Sequence, residues 1–121
     1  MKKLVYVSGG MSGIPLQNKP MFDKAEDYLR RKGYMVITPA AKPNEILDRT
    51  ATEKEYLAFM REDIYAILYK NGGVNEIWTL PNWRNSRGAK FEVLVGKFFN
   101  IPIKHLTKGQ LYESKQRTRT T

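Results

Sequence analysis

The 121-residue sequence contains no cysteine and a single histidine, His105. Without thiolates the chain can form neither a disulfide framework nor a cysteine-ligated zinc site, and one imidazole excludes a histidine-rich metal site. No apolar run approaches the roughly 20 residues that a transmembrane helix needs. The N-terminal segment MKKLVYV is too short for a signal peptide. These absences predict a cytoplasmic protein without a metal site.

A complete dinucleotide-binding fingerprint is also missing. The first predicted strand runs into the glycine-rich turn SGGMSG, but Ser8 occupies the position of the first glycine in G-x-G-x-x-G. Pro15 and Pro20 prevent a direct entry into a helix after Gly13, and no acidic residue ends the second predicted strand. A dinucleotide cofactor is therefore not expected. A turn that presents backbone N–H groups to a smaller phosphate or to a sugar remains open.

Acidic residues are few relative to basic ones, since 12 Asp and Glu face 21 Lys and Arg for a formal net charge of +9. Such an excess favours an anionic partner, either a phosphorylated metabolite or a nucleic acid. About half of the excess lies from Lys104 onward. We therefore predict a domain over residues 1–105 and a basic, polar, solvated tail over residues 106–121. The tail lacks the interleaved basic and aromatic residues of single-strand binders, so nucleic acid is the less favoured partner.

Short apolar segments alternate with amphipathic ones along the chain. The predicted strands are KKLVYVS, YMVITPA, VNEIWTLP and IPIKHL. The predicted helices are NKPMFDKAEDYLRRKG, EKEYLAFMREDIYAILYKNGG and SRGAKFEVLVGKFFN. Asn18 is the expected N-cap of the first helix, and the expected inward face of the last helix consists of Phe91, Leu94, Val95 and Phe98. This β-α-β-α-β-α-β order predicts an α/β domain with a parallel sheet and helices on both faces.

Two loops are expected at the binding edge, because ligands of parallel sheets bind beyond the carboxyl ends of the strands. They are SGGMSG after the first strand and LPNWRNSRGAKFE after the third. The second loop enters a helix at residues 85–88, where free N–H groups and the helix dipole favour an anion. Glu92 lies one helical turn further. It is either a surface glutamate favoured by the dipole or a pocket carboxylate that attacks or stabilises an anomeric carbon.

Three motifs resemble those of a known superfamily. YVSGGMSG spans Tyr6 to Gly13, REDI spans Arg61 to Ile64, and WRNSRGAKFE spans Trp83 to Glu92. Together they make the sequence similar to the nucleoside 2-deoxyribosyltransferase-like superfamily, and closely to its small, phage-associated DUF4406-type members, over residues 4 to about 103. The resemblance implies a three-layer flavodoxin-like (Rossmann-like) fold. It also implies an enzyme that cleaves or exchanges an N-glycosidic bond without a metal or redox cofactor.

The resemblance assigns roles to particular residues. It implies that Glu92 is the nucleophile, that Asp63 assists, and that Tyr6 donates a hydrogen bond to the nucleophile. On the residues alone, Asp63 reads as an exposed helix acid and Tyr6 as a core strand residue. The implied substrate contacts are Ser8, Gly9, Gly10, Met11, Asn85, Ser86, Arg87 and Gly88. Residues 40–52 are expected to shape the base pocket.

Ser86 bears on the substrate class. Superfamily members that exchange bases between nucleosides carry Asp six residues before the nucleophile, whereas the nucleoside 5′-monophosphate N-glycosidases carry Ser there, as this chain does. A carboxylate would repel a 5′-phosphate, whereas a hydroxyl, the Arg87 guanidinium and helix N–H groups would bind one. We therefore expect hydrolysis of a (deoxy)nucleoside 5′-monophosphate to free base and (deoxy)ribose 5-phosphate. The alternatives are a 2-deoxyribosyltransferase and a non-catalytic nucleotide-binding module.

The expected assembly is a homodimer or larger. Enzymes of the superfamily that the sequence resembles commonly assemble in this way. In addition, the chain has more large aromatic side chains than one face of a small sheet buries. The residues concerned are Trp78, Trp83, Phe98 and Phe99.

Overall fold

The computed structural model describes residues 2–39 and 51–112. In these residues four strands alternate with three long helices, in the order that the hydrophobic pattern predicts. The strands are β1 (Leu4–Ser8), β2 (Met35–Ile37), β3 (Glu76–Thr79) and β4 (Ile103–His105). The helices are α1 (Lys19–Arg31), α2 (Glu53–Leu68) and α3 (Arg87–Phe98). Short 3-10 turns occupy Pro15–Asn18, Lys70–Gly72 and Trp83–Asn85.

All four strands run parallel in the order β2-β1-β3-β4. Because side chains alternate along a strand, each face of the sheet has its own core. Val5 and Val7 pack with Leu29 of α1 in one cluster, whereas Tyr6 packs with Ile67 of α2 in the other. The result is an α/β sheet covered on both faces, consistent with a flavodoxin-like three-layer fold, and the predicted fold class is confirmed.

The strand order reverses between β1 and β3. After β1 the chain first adds β2 on one side and then returns to add β3 and β4 on the other. At such a reversal the loops that leave the two central strands diverge and open a crevice. The two strands pair up to Ser8 opposite Thr79, so the loops after residues 8 and 79 begin side by side at this point.

Helix α3 packs against the sheet through small side chains. A Cβ added at Gly96 would lie 2.6 Å from Ile77 Cδ1, so the helix approaches the sheet closely there. Its buried residues are Ala89, Glu92, Val93 and Gly96. The predicted inward face is wrong for Phe91, Leu94 and Phe98, which are 49%, 62% and 78% exposed. Large side chains do not fit between the helix and the sheet, so they occupy the outer face of the helix.

The start of α1 also differs from the prediction. Asn18 immediately precedes the helix, but its backbone is left-handed, with φ of 62°, and its side chain does not cap the helix. Instead its Nδ2 donates to the carbonyl oxygen of Gly10 at 3.0 Å. Helix α2, in contrast, begins with a capping box in which the side chains of Thr52 and Glu55 each bond to the other residue's backbone N–H.

The first residues of the predicted tail pack against the core. Leu106 and Leu111 are each 3% exposed and belong to the cluster on the α1 face of the sheet. The Gln110 amide donates to the Tyr28 hydroxyl at 3.1 Å, and residues 108–112 are helical. Residues 113–121 and residues 40–50 of the expected base-pocket segment lie outside the described residues.

Candidate active site

Strand β1 directs two hydroxyl groups at one carboxylate. Tyr6 and Ser8 are two residues apart and therefore project from the same face of the sheet, toward α3. The Tyr6 hydroxyl donates to Glu92 Oε2 at 3.0 Å, and the Ser8 hydroxyl donates to Glu92 Oε1 at 2.5 Å. Each carboxylate oxygen thus accepts a hydrogen bond, which fixes the orientation of the side chain.

The environment of Glu92 makes it a weak acid. The residue is 3% exposed. Burial, followed by the negative charge of Asp63, raises the pKa of Glu92 to about 8, although the hydrogen bonds from Ser8 and Tyr6 act to lower it. A carboxyl group with such a pKa exchanges a proton near neutral pH, as groups in acid–base and nucleophilic catalysis do.

Asp63 reaches the same place from α2. Its hydrogen bond with Glu92 is a further contribution to the raised pKa of Glu92. Burial and the charges of Glu92 and Asp63 also raise the pKa of Tyr6 well above its usual value. Two carboxyl groups this close cannot both ionise without a large penalty, so they titrate as a pair. The structure therefore brings together the three residues predicted to be catalytic, one each from β1, α2 and α3.

A cavity of about 540 Å³ opens beside Glu92, which forms part of its wall. Its volume falls in the range of small-molecule sites, roughly 300–1,000 Å³. The loop after β1 contributes Gly9, Gly10 and Met11. The loop after β3 and the start of α3 contribute Asn85, Ser86, Arg87 and Gly88. Seven of the eight predicted substrate contacts thus line one cavity.

The glycine turn allows the two loops to approach each other. A Cβ at Gly9 would lie 2.5 Å from Leu80 Cδ1, a distance that no side chain tolerates without a shift of its neighbour. A Cβ at Gly10 would lie 3.3 Å from Ile14 Cδ1 and 3.5 Å from Ser86 Cβ. These glycines keep the backbone of the turn exposed to whatever occupies the cavity.

Ser86 is the N-cap of α3. Its hydroxyl oxygen accepts a hydrogen bond from the Ala89 N–H at 3.1 Å, which leaves the hydroxyl proton available to a ligand. The N–H groups of Arg87 and Gly88 belong to the first turn of the helix, where they have no partner within the helix. One end of the cavity therefore presents backbone donors and the positive end of a helix dipole, an arrangement that favours anions.

Arg87 stands at the rim of the cavity in an ion pair. Its Nη1 lies 2.7 Å from Oε1 of Glu53 on α2, and its guanidinium lies over the Tyr56 ring, 4.6 Å from the centroid. The side chains of Arg87 and Glu53 are 66% and 61% exposed. Arg87 is thus near the predicted anion site, but a carboxylate of the same chain already holds it.

The sequence from residue 3 to residue 105 matches the model of a family described as a domain of unknown function, DUF4406. The chain belongs to the DUF4406 family. A comparison with curated proteins gives no match. The matched residues include all four strands, both loops of the cavity and the three residues around Glu92, so the candidate site lies entirely within the DUF4406 domain.

Two residues of the DUF4406 domain occupy places that the sequence did not predict. Ser8 was expected to line the sugar, but it is fully buried and its hydroxyl bonds to Glu92. Tyr56, which was not among the predicted site residues, lines the cavity beside Gly88. The spacing of Tyr56 from Asp63 could have indicated this place, because the two residues are seven positions, or two helical turns, apart and therefore share one face of α2.

Residues 2–39 and 51–112 contain no group of three or more histidine, aspartate or glutamate side chains arranged to hold a metal ion. None of the helices in these ranges combines the length and the apolar character that crossing a bilayer requires.

Proposed function

We propose that this DUF4406 domain is related to the nucleoside 2-deoxyribosyltransferase-like superfamily. We further propose that it is a cytoplasmic N-glycosidase that hydrolyses a (deoxy)nucleoside 5′-monophosphate to free base and (deoxy)ribose 5-phosphate. The observation that carries the proposal is the buried Glu92, which is oriented by two hydroxyl groups, lies beside a second carboxyl group, and forms part of a cavity wall. Such a group is suited to capture or stabilise a sugar cation.

In the proposed reaction the ionised Glu92 attacks C1′ while the N-glycosidic bond breaks. The electron pair of that bond leaves on the base, which takes up the proton that the Glu92–Asp63 pair holds near neutral pH. Water then attacks C1′ of the glycosyl ester and gives its proton to Asp63, and Glu92 leaves as a carboxylate. One shared proton thus serves both steps.

Tyr6 and Ser8 are positioning residues in this scheme. Their hydrogen bonds favour the ionised form of Glu92 and oppose the effects of burial and of Asp63. They also hold both carboxylate oxygens, so that the side chain cannot rotate away from C1′. This orientation reduces the entropy that the attack would otherwise cost.

The 5′-phosphate would bind at the start of α3. Ser86 offers a hydroxyl proton, and Arg87 and Gly88 offer first-turn N–H groups. Charge-assisted hydrogen bonds of this kind contribute roughly 1.5–3 kcal/mol each. Two of them would favour the monophosphate over the nucleoside by about a hundredfold or more in kcat/KM.

The direct test is incubation of the protein with the common nucleosides, deoxynucleosides and their 5′-monophosphates, followed by chromatography for released base. We expect release from at least one monophosphate and much slower release from the matching nucleoside. Adding a second base separates hydrolysis from transfer, because a transferase would form a new nucleotide. Binding without release of base from any compound would contradict the proposed activity.

Ser86→Asp tests the phosphate end specifically. A carboxylate at the N-cap still accepts the Ala89 N–H, so the helix start is preserved, but its charge repels a phosphate. We expect the preference for the monophosphate to narrow or reverse, with little change in turnover of the nucleoside. An unchanged preference would show that the phosphate binds elsewhere.

We also propose that the active form is a homodimer or larger. Large apolar side chains on the outer face of α3 and just beyond its end support this assembly: Phe91, Leu94, Phe98 and Phe99 are between 49% and 78% exposed. Trp78 and Trp83, also cited from the sequence, are half-buried within the chain. A monomeric mass in solution at micromolar concentration, with full activity, would refute the assembly.

A further inference from the structure

The rim of the cavity carries an ion pair whose place on the chain is informative. Glu53 is in the first turn of α2 and Arg87 is in the first turn of α3, so the two helices begin next to each other. Both oxygens of Glu53 lie near one guanidinium nitrogen, at 2.7 and 3.2 Å from Arg87 Nη1. The other nitrogens of the guanidinium are not part of this bond.

Stability alone does not account for the pair. Both side chains are more than half exposed, and exposed ion pairs contribute little to folding, with a median of about 0–1 kcal/mol. Arg87 is also held over the ring of Tyr56, a cavity residue. The pair therefore fixes a cation and an anion beside the N-terminus of α3, where the proposed phosphate would bind.

The charges of Arg87 and Glu53 offset each other at the rim of the cavity. Arg87 and the N-terminus of α3 attract a phosphate. Glu53, which accepts a hydrogen bond from Arg87, repels one. A single phosphate bound at the helix N-terminus meets both. A second phosphate attached to the first would bring more negative charge toward the exposed carboxylate of Glu53, and a single helix N-terminus offers few free N–H groups to offset it.

Building on the function proposed above, we propose that Glu53 is a specificity residue that limits this site to a single phosphate, and that it does so by competing for Arg87 and repelling a longer phosphate chain. Nucleoside 5′-diphosphates and 5′-triphosphates are then rejected by charge. Removal of the Glu53 charge frees Arg87 for the ligand. It improves binding of a monophosphate and improves binding of a diphosphate more.

The test compares Glu53→Gln with Glu62→Gln. Glu62 is an exposed residue nine positions further along α2, so it points to the opposite side of the helix, and both variants lose the same charge. Each is measured for kcat/KM on a deoxynucleoside, its 5′-monophosphate and its 5′-diphosphate. Binding of the same three compounds is measured by calorimetry with the change combined with Glu92→Gln, which prevents turnover.

For Glu53→Gln we expect kcat/KM and the binding constant to rise about threefold for the monophosphate and about tenfold or more for the diphosphate, the size of effect expected for one charge near the surface at low salt. Neither quantity should change for the deoxynucleoside. The gain shrinks as KCl is raised, and Glu62→Gln shows neither gain. If the ratio of the diphosphate binding constant to the monophosphate binding constant is the same in Glu53→Gln as in the unmodified protein, the proposal is overturned. Weaker binding of the monophosphate would also overturn it, because Glu53 would then only hold Arg87 in place.

The two proposals fail in different ways. If the unmodified protein releases no base but the calorimetric ratio still depends on Glu53, the N-glycosidase activity is refuted and the limit on phosphate number stands. If base is released and the ratio does not depend on Glu53, the activity stands and the limit is refuted.

Discussion

Two buried glutamates of this domain have pKa values shifted in opposite directions. Glu76 at the start of β3 and Glu92 on α3 are 2% and 3% exposed. Burial acts to raise the pKa of Glu76, but hydrogen bonds from Lys3, Trp78 and Lys104 outweigh it, so the net effect is a lowered pKa. For Glu92, burial and Asp63 raise the pKa to about 8. Burial by itself therefore does not decide the protonation of a carboxyl group.

The difference lies in the charge of the partners. Glu76 Oε2 lies 3.0 Å from Lys3 Nζ and 3.3 Å from Lys104 Nζ, and its Oε1 accepts from the Trp78 indole at 2.9 Å. Glu92 receives hydrogen bonds from neutral hydroxyl groups and has a second carboxyl group next to it. The first arrangement holds a permanent anion as a structural element. The second holds a carboxyl group that can lose and regain a proton during a reaction.

The largest expected effect separates the two glutamates by activity. Glu92→Gln should reduce release of base at least about a thousandfold, because it removes the proposed nucleophile and with it the charge proposed to stabilise the sugar cation. Glu76→Gln should leave kcat within about threefold of the unmodified protein, since Glu76 lies at the opposite end of β3 from the cavity loop. Similar losses in both variants would mean that Glu92 acts only through the fold. Chromatography of released base, with thermal unfolding to confirm folding, measures both.

The next effect is on stability as a function of pH. Unfolded Glu92 titrates near 4.5 and folded Glu92 near 8. Only the folded state keeps the proton between these values, and this contribution to the free energy of unfolding falls as pH rises through the window. Glu92→Gln removes the group responsible for this decrease in the free energy of unfolding. The variant should therefore gain stability relative to the unmodified protein as pH rises from 5 to 8, by on the order of a few kcal/mol.

Glu76 should show the opposite trend in the same urea titrations. Its folded pKa is lowered, so its stabilising effect is present above the unfolded pKa and is lost as pH falls through the folded pKa. Glu76→Gln should accordingly be less stable than the unmodified protein at neutral pH, and the difference should diminish in acid. Parallel pH profiles for the two variants would contradict the contrast drawn from their partners.

The smallest expected effect is a displacement of the pH–rate profile. The rising limb of kcat/KM should report the loss of the first proton from the Glu92–Asp63 pair, because the reaction needs an ionised Glu92 and one remaining proton. Asp63→Asn should move the limb to lower pH, because it removes a neighbouring negative charge, and it should also lower kcat, because the variant lacks the carboxyl group that exchanges the shared proton. Tyr6→Phe and Ser8→Ala should move it to higher pH, because each removes a hydrogen bond that lowers the pKa of Glu92. A limb that stays in place in all three variants would exclude Glu92 as the titrating group.

Much of the fold follows from local pattern, and the differences have physical causes. Strands and helices were predictable because apolar periodicity and glycine or proline boundaries are local signals. The inward face of α3 was not, because Phe91, Leu94 and Phe98 recur at helical spacing just as Glu92 and Gly96 do. Hydrophobicity does not distinguish a side chain that meets the sheet from one on the outer surface.

The residues of the candidate site were predictable where they belong to a recognisable motif. They were less predictable where packing between distant parts of the chain determines their position. The place of Glu92 beside Tyr6 depends on residues 86 positions apart, and the resemblance, not periodicity, supplied the link. The burial of Glu76 was missed, because its partners Lys3 and Lys104 are 73 and 28 positions away. Only the pairing of β1 with β3 and of β3 with β4 brings them together.

The close approach at Gly96 has a consequence for how this site could be tuned. Gly96 lies one helical turn, about 6 Å, beyond Glu92, and a Cβ there would lie 2.6 Å from Ile77 Cδ1 and 2.8 Å from Ile103 Cδ1. A methyl group at residue 96 would displace either the ends of the Ile77 and Ile103 side chains or the helix itself, and a displaced helix would lengthen the bonds from Tyr6 and Ser8 to Glu92. The distance between α3 and the sheet thus influences the pKa of Glu92, and residue 96 can change that distance although it does not line the cavity.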